Sequence, residues 1–126
     1  MIRISSGSAF EPEVGYCRVV VTPDGWVFVS GCVGNDHETM IAPAAVEDQC
    51  RLALGHVGAA LKQAGARFHD VVRVTYMLSD RHDFPLCFPL LRGAFGDNPP
   101  AATMIECGLI DPAYKIEIEV TARLPL

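Results

Sequence analysis

The sequence lacks most of the features that announce a function. Cys17, Cys32, Cys50, Cys87 and Cys107 form no CxxC pair, so neither a zinc knuckle nor a thioredoxin-like redox motif is encoded. GxGxxG, P-loop, HExxH and GxSxG patterns are all missing. Their absence removes the usual signatures of dinucleotide binding, nucleotide binding, zinc proteolysis and serine hydrolysis. Basic residues are scarce and scattered. Ten Lys and Arg against 15 Asp and Glu give a formal net charge of -5. Such a chain offers no footprint for a phosphate backbone or an anionic membrane surface, so no nucleic-acid or membrane partner is expected. No apolar run approaches the roughly 20 residues that span a bilayer. The N-terminus lacks the basic-then-apolar order of a secretory signal. A cytoplasmic location is the default expectation. There is no linker, repeat or low-complexity tract.

What is present suits one domain spanning residues 1–126, a length that holds a core without staples. Half the residues are hydrophobic and mean hydropathy is +0.25. So apolar a small chain is expected to hide some surface in an oligomer interface. The five cysteines read as reduced, small buried hydrophobes.

The hydrophobic pattern alternates between strands and helices. A short strand is expected near Ile2 to Ile4. YCRVVVT (16–22) is rich in β-branched residues, Pro23-Asp24-Gly25 is a turn signal, and WVFVS (26–30) resumes a strand, which together read as a hairpin. Trp26 and Phe28 fall on one face of that second strand and Val27 and Val29 on the other, so it is expected to be covered on both. Gly31 and Gly34 are expected to end it. Val46, Cys50, Leu54, Val57 and Leu61 mark one face of a helix over 44–64, with Gly65 placed to terminate it. His56 lies off that stripe and is expected to be solvated. HDVVRVTYMLS (69–79) reads as a strand with Val72, Val74, Tyr76 and Leu78 on one face. A second helix is expected over 83–95, with Asp83 as N-cap. Pro89 either delays its start or kinks it. Residues 103–107 read as a short strand. YKIEIEVTARL (114–124) alternates strictly, with Ile116, Ile118, Val120 and Ala122 on the buried face. Two helices on one face of a mixed sheet make an α+β sandwich. The opposite face is left for a second subunit to cover.

Few residues offer chemistry. Asp36-His37-Glu38 invites a metal reading, but sequence neighbours in a loop do not converge on one ion, and no metal site is expected there. His69 and His82, each directly before an Asp, read as surface or capping residues. Cys32 follows a strand end where sites often lie, yet no partner activates it, and it reads as an inert thiol. The carboxylates of interest are Glu106, Glu117 and Glu119, all on expected strands. Glu117 and Glu119 share a face, where they are either solvated or paired with Arg73 or Arg123. Covered by a second subunit, such a carboxylate would be desolvated, its pKa would rise, and it could hold or deprotonate a water.

Several segments together carry a resemblance. They are Val14-Gly15-Tyr16, Val29-Ser30-Gly31, Ala64-Gly65-Ala66, Asp70-Val71-Val72-Arg73-Val74-Thr75, Asp80 with Asp83-Phe84, Pro100-Ala101 and Lys115-Ile116-Glu117-Ile118-Glu119. In order and spacing they resemble the YjgF/RidA family of reactive-intermediate deaminases, over nearly the whole chain, with the KIEIE run the most specific piece. The resemblance implies a chorismate-mutase-like fold. It also implies a homotrimer with a central barrel and small-molecule clefts between subunits, and hydrolysis of enamines and imines to 2-keto acids and ammonia without metal or organic cofactor. Carried onto this chain, it makes Glu117 the water-positioning carboxylate. Tyr16, Ser30, Gly31 and Cys32 would line the cleft, with backbone near Met104 where the family often has cysteine. The family's substrate-clamping arginine should fall at position 102, and this chain has Ala102. Phe88 stands where many relatives carry asparagine. The pocket is therefore expected to be more apolar, with Arg73 or Arg92 as substitute cations and a substrate other than the usual carboxylate-bearing imine. The alternative is a non-catalytic trimer that binds a small neutral metabolite in the same cleft. A third reading, an interaction or chaperone-like module, has only the expected trimer behind it.

Overall fold

The computed structural model describes residues 1–125. Its elements run β1 (Ile2–Ile4), α1 (Phe10–Val14), β2 (Val19–Val21), β3 (Trp26–Val33), α2 (Val46–Gln63), β4 (Val71–Leu78), α3 (Phe84–Phe95), β5 (Ala101–Glu106) and β6 (Ile116–Arg123). Single 3₁₀ turns at Phe68–Asp70 and Arg81–Asp83 lead into β4 and α3. The six strands form one sheet in the order β1-β2-β3-β6-β4-β5. Neighbours are antiparallel except β4 and β5, which run parallel with α3 as their crossover.

Both long helices pack on one face. The alternation along β6 sends Ile116, Ile118, Val120 and Ala122 into that layer, where all are buried. They meet Val27, Val29 and Cys32 from β3, Val74, Tyr76 and Leu78 from β4, and Cys50, Ala53, Leu54, Val57 and Leu61 from α2. Each large aliphatic side chain fully removed from water here contributes about 1.5–3 kcal/mol. One buried polar residue is woven in. Gln49 donates to the carbonyls of Pro43 (2.8 Å) and Ala113 (2.9 Å) and accepts from Lys115 N–H at 2.8 Å. It ties α2 to the segment that leads into β6.

Within the single chain β3 is covered on its helix face, and the cover expected on its other face falls to a second subunit. Val27 and Val29 are buried, while Trp26 and Phe28 are 37% and 47% exposed on the single chain. Several expectations need correction. Gly31 does not end β3. The register passes from Val29–Val120 to Cys32–Ile118, so Ser30 and Gly31 together oppose Glu119 in a β-bulge and the strand continues to Val33. A second bulge, between Val71 and Arg73, inverts the start of β4. Val71 is therefore buried and Val72 exposed, against simple alternation. The strand expected over 16–22 narrows to Val19–Val21, and β5 begins at Ala101 rather than at 103. Pro89 lies inside a continuous α3 with Asp83 as its N-cap residue, although the Asp83 side chain makes no capping bond. His56 is not simply solvated. Its ring stacks on His37, centroids 3.6 Å apart, and Nε2 donates to the Asn35 carbonyl at 2.7 Å. Gly65 ends α2 as expected, with φ at +80°.

No counterpart of α1 was readable, because five residues with Pro12 among them carry no helical period. It is fastened by Glu11, whose buried carboxylate accepts the backbone N–H and the hydroxyl of Ser6. The N–H groups of Gly15 and Tyr16 then close on the Glu11 carbonyl at 2.9 and 3.0 Å. That closure delivers Tyr16 to the start of β2.

Candidate functional site

The site is built at the bulge in β3. A bulge turns two consecutive backbone positions out of the ladder and re-aims the side chains next to it. Here it places Cys32 on the helix side, where its side chain is buried, and leaves Gly31 facing the sheet's open side. Glu117, carried by β6, lies opposite on that side. The two fit because residue 31 has no side chain: a Cβ there would overlap the Glu117 carboxylate. Glu117 is half-buried. Burial pushes its carboxyl above the usual range, the Glu119 charge adds to the rise, and the Arg18 charge opposes it. Burial likewise pushes the Cys32 thiol up, which suits an inert core group and not a nucleophile.

Arg18 is the residue that sequence reasoning missed. Its Nη1 donates to the carbonyls of Gly31 (2.6 Å) and Ser30 (3.3 Å), and its Nη2 to the Tyr16 hydroxyl at 3.4 Å. The guanidinium carbon lies 5.7 Å from the centre of the Tyr16 ring, within cation–π range. The available signal was a lone cation opening the apolar run Arg18-Val19-Val20-Val21. Tyr16 is held from its other side by an edge-to-face contact with Phe10, centroids 6.3 Å apart. The Ser30 hydroxyl donates to the Cys17 carbonyl at 2.7 Å. Tyr16, Arg18, Ser30, Gly31 and Glu117 thus form one group at the bulge.

The remaining expected site residues lie elsewhere on the chain. In the ladder, Ala102 pairs with Val74 and Met104 with Tyr76. Both partners point toward the helices, so Ala102 and Met104 share that face at the β5 edge. Phe88 on α3 joins this second group through Phe84, which packs on Tyr76. Within one chain, these residues and Glu117 are on opposite faces of the sheet. Arg73 does share the open face, but its ladder partner is Thr121, four residues along β6 from Glu117, or about 13 Å at strand rise. It donates to Thr103 Oγ1 at 3.1 Å and lines a hollow of about 300 Å³ with Phe28, Ser30, Thr75, Glu119 and Thr121. Among the described residues Glu117 and Glu119 form no ion pair. Arg123 lies over the Trp26 ring instead. Glu106 is exposed and accepts the Arg81 N–H at 2.8 Å, which pins the turn before α3. Among the described residues no group of three or more His, Cys, Asp or Glu side chains could hold a metal ion, Asp36-His37-Glu38 included. No helix among them is long and apolar enough to cross a membrane.

Comparison with known proteins joins these features to a family. The family model described as Endoribonuclease L-PSP matches residues 6–124. Rv2704 of Mycobacterium tuberculosis, described as a member of the YjgF/YER057c/UK114 family, superposes with a TM-score of 0.87 at 35% identity, covering 98% of each chain. The chain belongs to the YjgF/RidA family. Its six-stranded mixed sheet with two main helices is the chorismate-mutase-like fold of that family. A rat YjgF/RidA relative named 2-iminobutanoate/2-iminopropanoate deaminase is 30% identical over 121 residues, covering 95% of this chain and 88% of its own. A Drosophila melanogaster relative, RutC family protein UK114, is 32% identical over 120 residues, covering 94% and 86%. Escherichia coli TdcF with bound serine superposes with a TM-score of 0.82 at 25% identity, covering 98% and 94%.

Proposed function

We propose that this YjgF/RidA chain hydrolyses a small imine or enamine, with Glu117 positioning the attacking water. The observation that carries the reading is the half-buried Glu117 carboxylate set against the side-chain-free Gly31. A carboxylate with a raised pKa is a better proton acceptor than an exposed one and still holds water by accepting its hydrogen bonds. Water adds to the C=N carbon and gives a carbinolamine. The carbinolamine collapses to a carbonyl compound and ammonia, and the proton that Glu117 accepts returns to the leaving nitrogen. No metal is needed for this sequence. The deaminase names of the relatives agree with it.

The cleft is proposed to lie between subunits of a homotrimer. The group at Glu117 and the group at Ala102 and Met104 cannot meet within one chain, because they sit on opposite faces of the sheet. A neighbouring copy presenting its β5 edge to the open face would join them and would cover Trp26 and Phe28. With Ala102 in place of the expected arginine, position 102 offers no bidentate partner for a carboxylate. The proposed substrate is therefore an imine without an α-carboxylate. The ribonuclease in the family model's description is not adopted, since a chain of net charge -5 with scattered basic residues is unsuited to a phosphate backbone.

The test is a hydrolysis screen over imines and enamines with and without a carboxylate. Turnover of the carboxylate-free set is expected, with Glu117→Gln lowering it by about 100-fold or more. Ala102→Arg should bring some activity on 2-iminopropanoate. Rapid hydrolysis of 2-iminopropanoate by the unaltered protein would overturn the substrate assignment. Because Ala102 removes the clamp, a second reading stands beside this one: a trimer that binds a neutral metabolite without turning it over. A ligand recovered unchanged, with affinity lost in Glu117→Gln, would favour that reading.

A further inference from the structure

We infer that Arg18 is a positioning residue of this site, one that shapes the Ser30–Gly31 bulge and fixes a positive charge next to the Glu117 carboxylate. The inference rests on the reading of Glu117 as the water-positioning group. Its ground is the way Gly31 sits between the two. The Gly31 carbonyl takes the Arg18 Nη1 at 2.6 Å, while its Cα faces the Glu117 carboxylate so closely that no Cβ fits.

A bulge interrupts the strand ladder, and its polar backbone groups need other partners. Arg18 supplies them. One nitrogen of its fork spans both bulge carbonyls, reaching Ser30 as well at 3.3 Å, and the other reaches the Tyr16 hydroxyl. The same Nη1 lies 3.6 Å from Cys32 Sγ. A planar guanidinium can hold several acceptors at fixed angles, which an ammonium on a flexible stem cannot. The bulge in turn decides where Gly31, and with it the open space for Glu117, is located.

The electrostatic surroundings of Glu117 point the same way. Glu119, two residues along β6, repels its charge, and burial disfavours it further. Its ladder partners, Val33 on β3 and Met77 on β4, are uncharged. From β3 the only titratable neighbour is the Cys32 thiol, neutral at ordinary pH because burial raises its pKa. Among the described residues Arg18 is the one cation whose charge lowers the Glu117 pKa, and it does so across Gly31 without a direct ion pair. Its effect is to oppose the rise that burial and Glu119 cause, which favours the ionised form that accepts a proton.

The experiment titrates the Glu117 carboxyl directly, by carbon-detected NMR of the folded protein, with the Glu117→Gln variant assigning the resonance. In Arg18→Met the midpoint should move up by more than about half a pH unit, and in Arg18→Lys, which keeps the charge, it should stay within about half a unit of the parent. Where hydrolysis is measurable, the acid limb of the pH profile should follow the midpoint in Arg18→Met. Arg18→Lys should keep the limb but lose kcat/KM, because the bulge loses its fork. Should Arg18→Met not fold, Arg18→Gln, which retains a donor without charge, must show the same upward move. A folded charge-free variant with an unchanged Glu117 midpoint overturns the inference. A parent that hydrolyses no imine, yet shows the Arg18-dependent midpoint, overturns the proposed reaction and leaves the role of Arg18 standing.

Discussion

At position 31 the absence of one atom makes room for a neighbouring side chain. Gly31 is not held at a positive φ, so alanine is tolerated by the backbone. What alanine cannot do is share space with the Glu117 carboxylate. Gly31→Ala should therefore leave thermal stability nearly unchanged while cutting hydrolysis by about 100-fold, the scale of a roughly 1 Å misplacement of a catalytic group. Paired melting curves and initial rates would check it. Glu117 itself separates activity from stability in the opposite sense. Its pKa is raised on folding, so the ionised form is the costly one. Glu117→Gln should lose activity and yet match or exceed the parent in stability near neutral pH. The sign comes from linkage. Stability contributed by a group with a raised folded pKa is present below the unfolded value and is lost as pH rises through the folded one. The stability gap between the variant and the parent should thus widen with pH above the ordinary carboxylate value of 4.5 and close below it. A gap that widened toward acid would contradict the assignment. At this scale the sequence is half legible. Glu117, Gly31 and Tyr16 can be named from the KIEIE, Ser-Gly and Gly-Tyr segments. Arg18 shows only as a lone cation before an apolar run, because two of its partners are backbone carbonyls at a bulge that no one-dimensional pattern records.

The elements divide the same way. Strict alternation in β6 and the three- and four-residue spacing in α2 are readable because one face of each is buried along its whole length. β3 and β4 are misread where bulges change phase, and α1 is too short to show a period. Helix α3 is readable except at Pro89, where the sequence leaves a late start or a kink open; the helix is continuous from Phe84 to Phe95 and does not start late. Pro89 is exposed and its ring nitrogen cannot bond the Pro85 carbonyl one turn back. Pro89→Ala should restore that bond and raise stability by about 2 kcal/mol, somewhat less than the full proline penalty of a helix interior. Urea denaturation with an unchanged m-value is the measurement. No gain would mean that the Pro85 carbonyl already has a partner.

At the scale of the whole molecule, the open sheet face dominates. Its exposed Trp26 and Phe28, half-buried Glu117, and hollow around Arg73 are the outer surface of a single chain. The overall hydropathy leads one to expect hidden apolar surface, and on the isolated chain this face exposes Trp26 and Phe28. A partner for that face is not legible, since a partner leaves no periodicity of its own in the sequence. The expected outcome of light scattering at micromolar concentration is a mass three times that of the 13.6 kDa chain. Dilution to dissociation should shift the emission of Trp26, the only tryptophan, to longer wavelength as it meets water. A stable monomer would remove the intersubunit cleft.

The strand order has one more effect, on how the chain comes to be folded. β6 follows every other strand in the sequence, yet it lies in the middle of the sheet between β3 and β4. Until it emerges from the ribosome, β1-β2-β3 and the β4-α3-β5 unit are two halves with no ladder between them, and the inner edges of β3 and β4 carry unpaired amides. Joining them needs contacts far apart in the chain, the slow kind to form. The nascent protein cannot assemble piecemeal from its N-terminus. The segment that joins the two halves is β6, and it carries Glu117. A chain that stops short of β6 therefore lacks both the joined sheet and the Glu117 carboxylate.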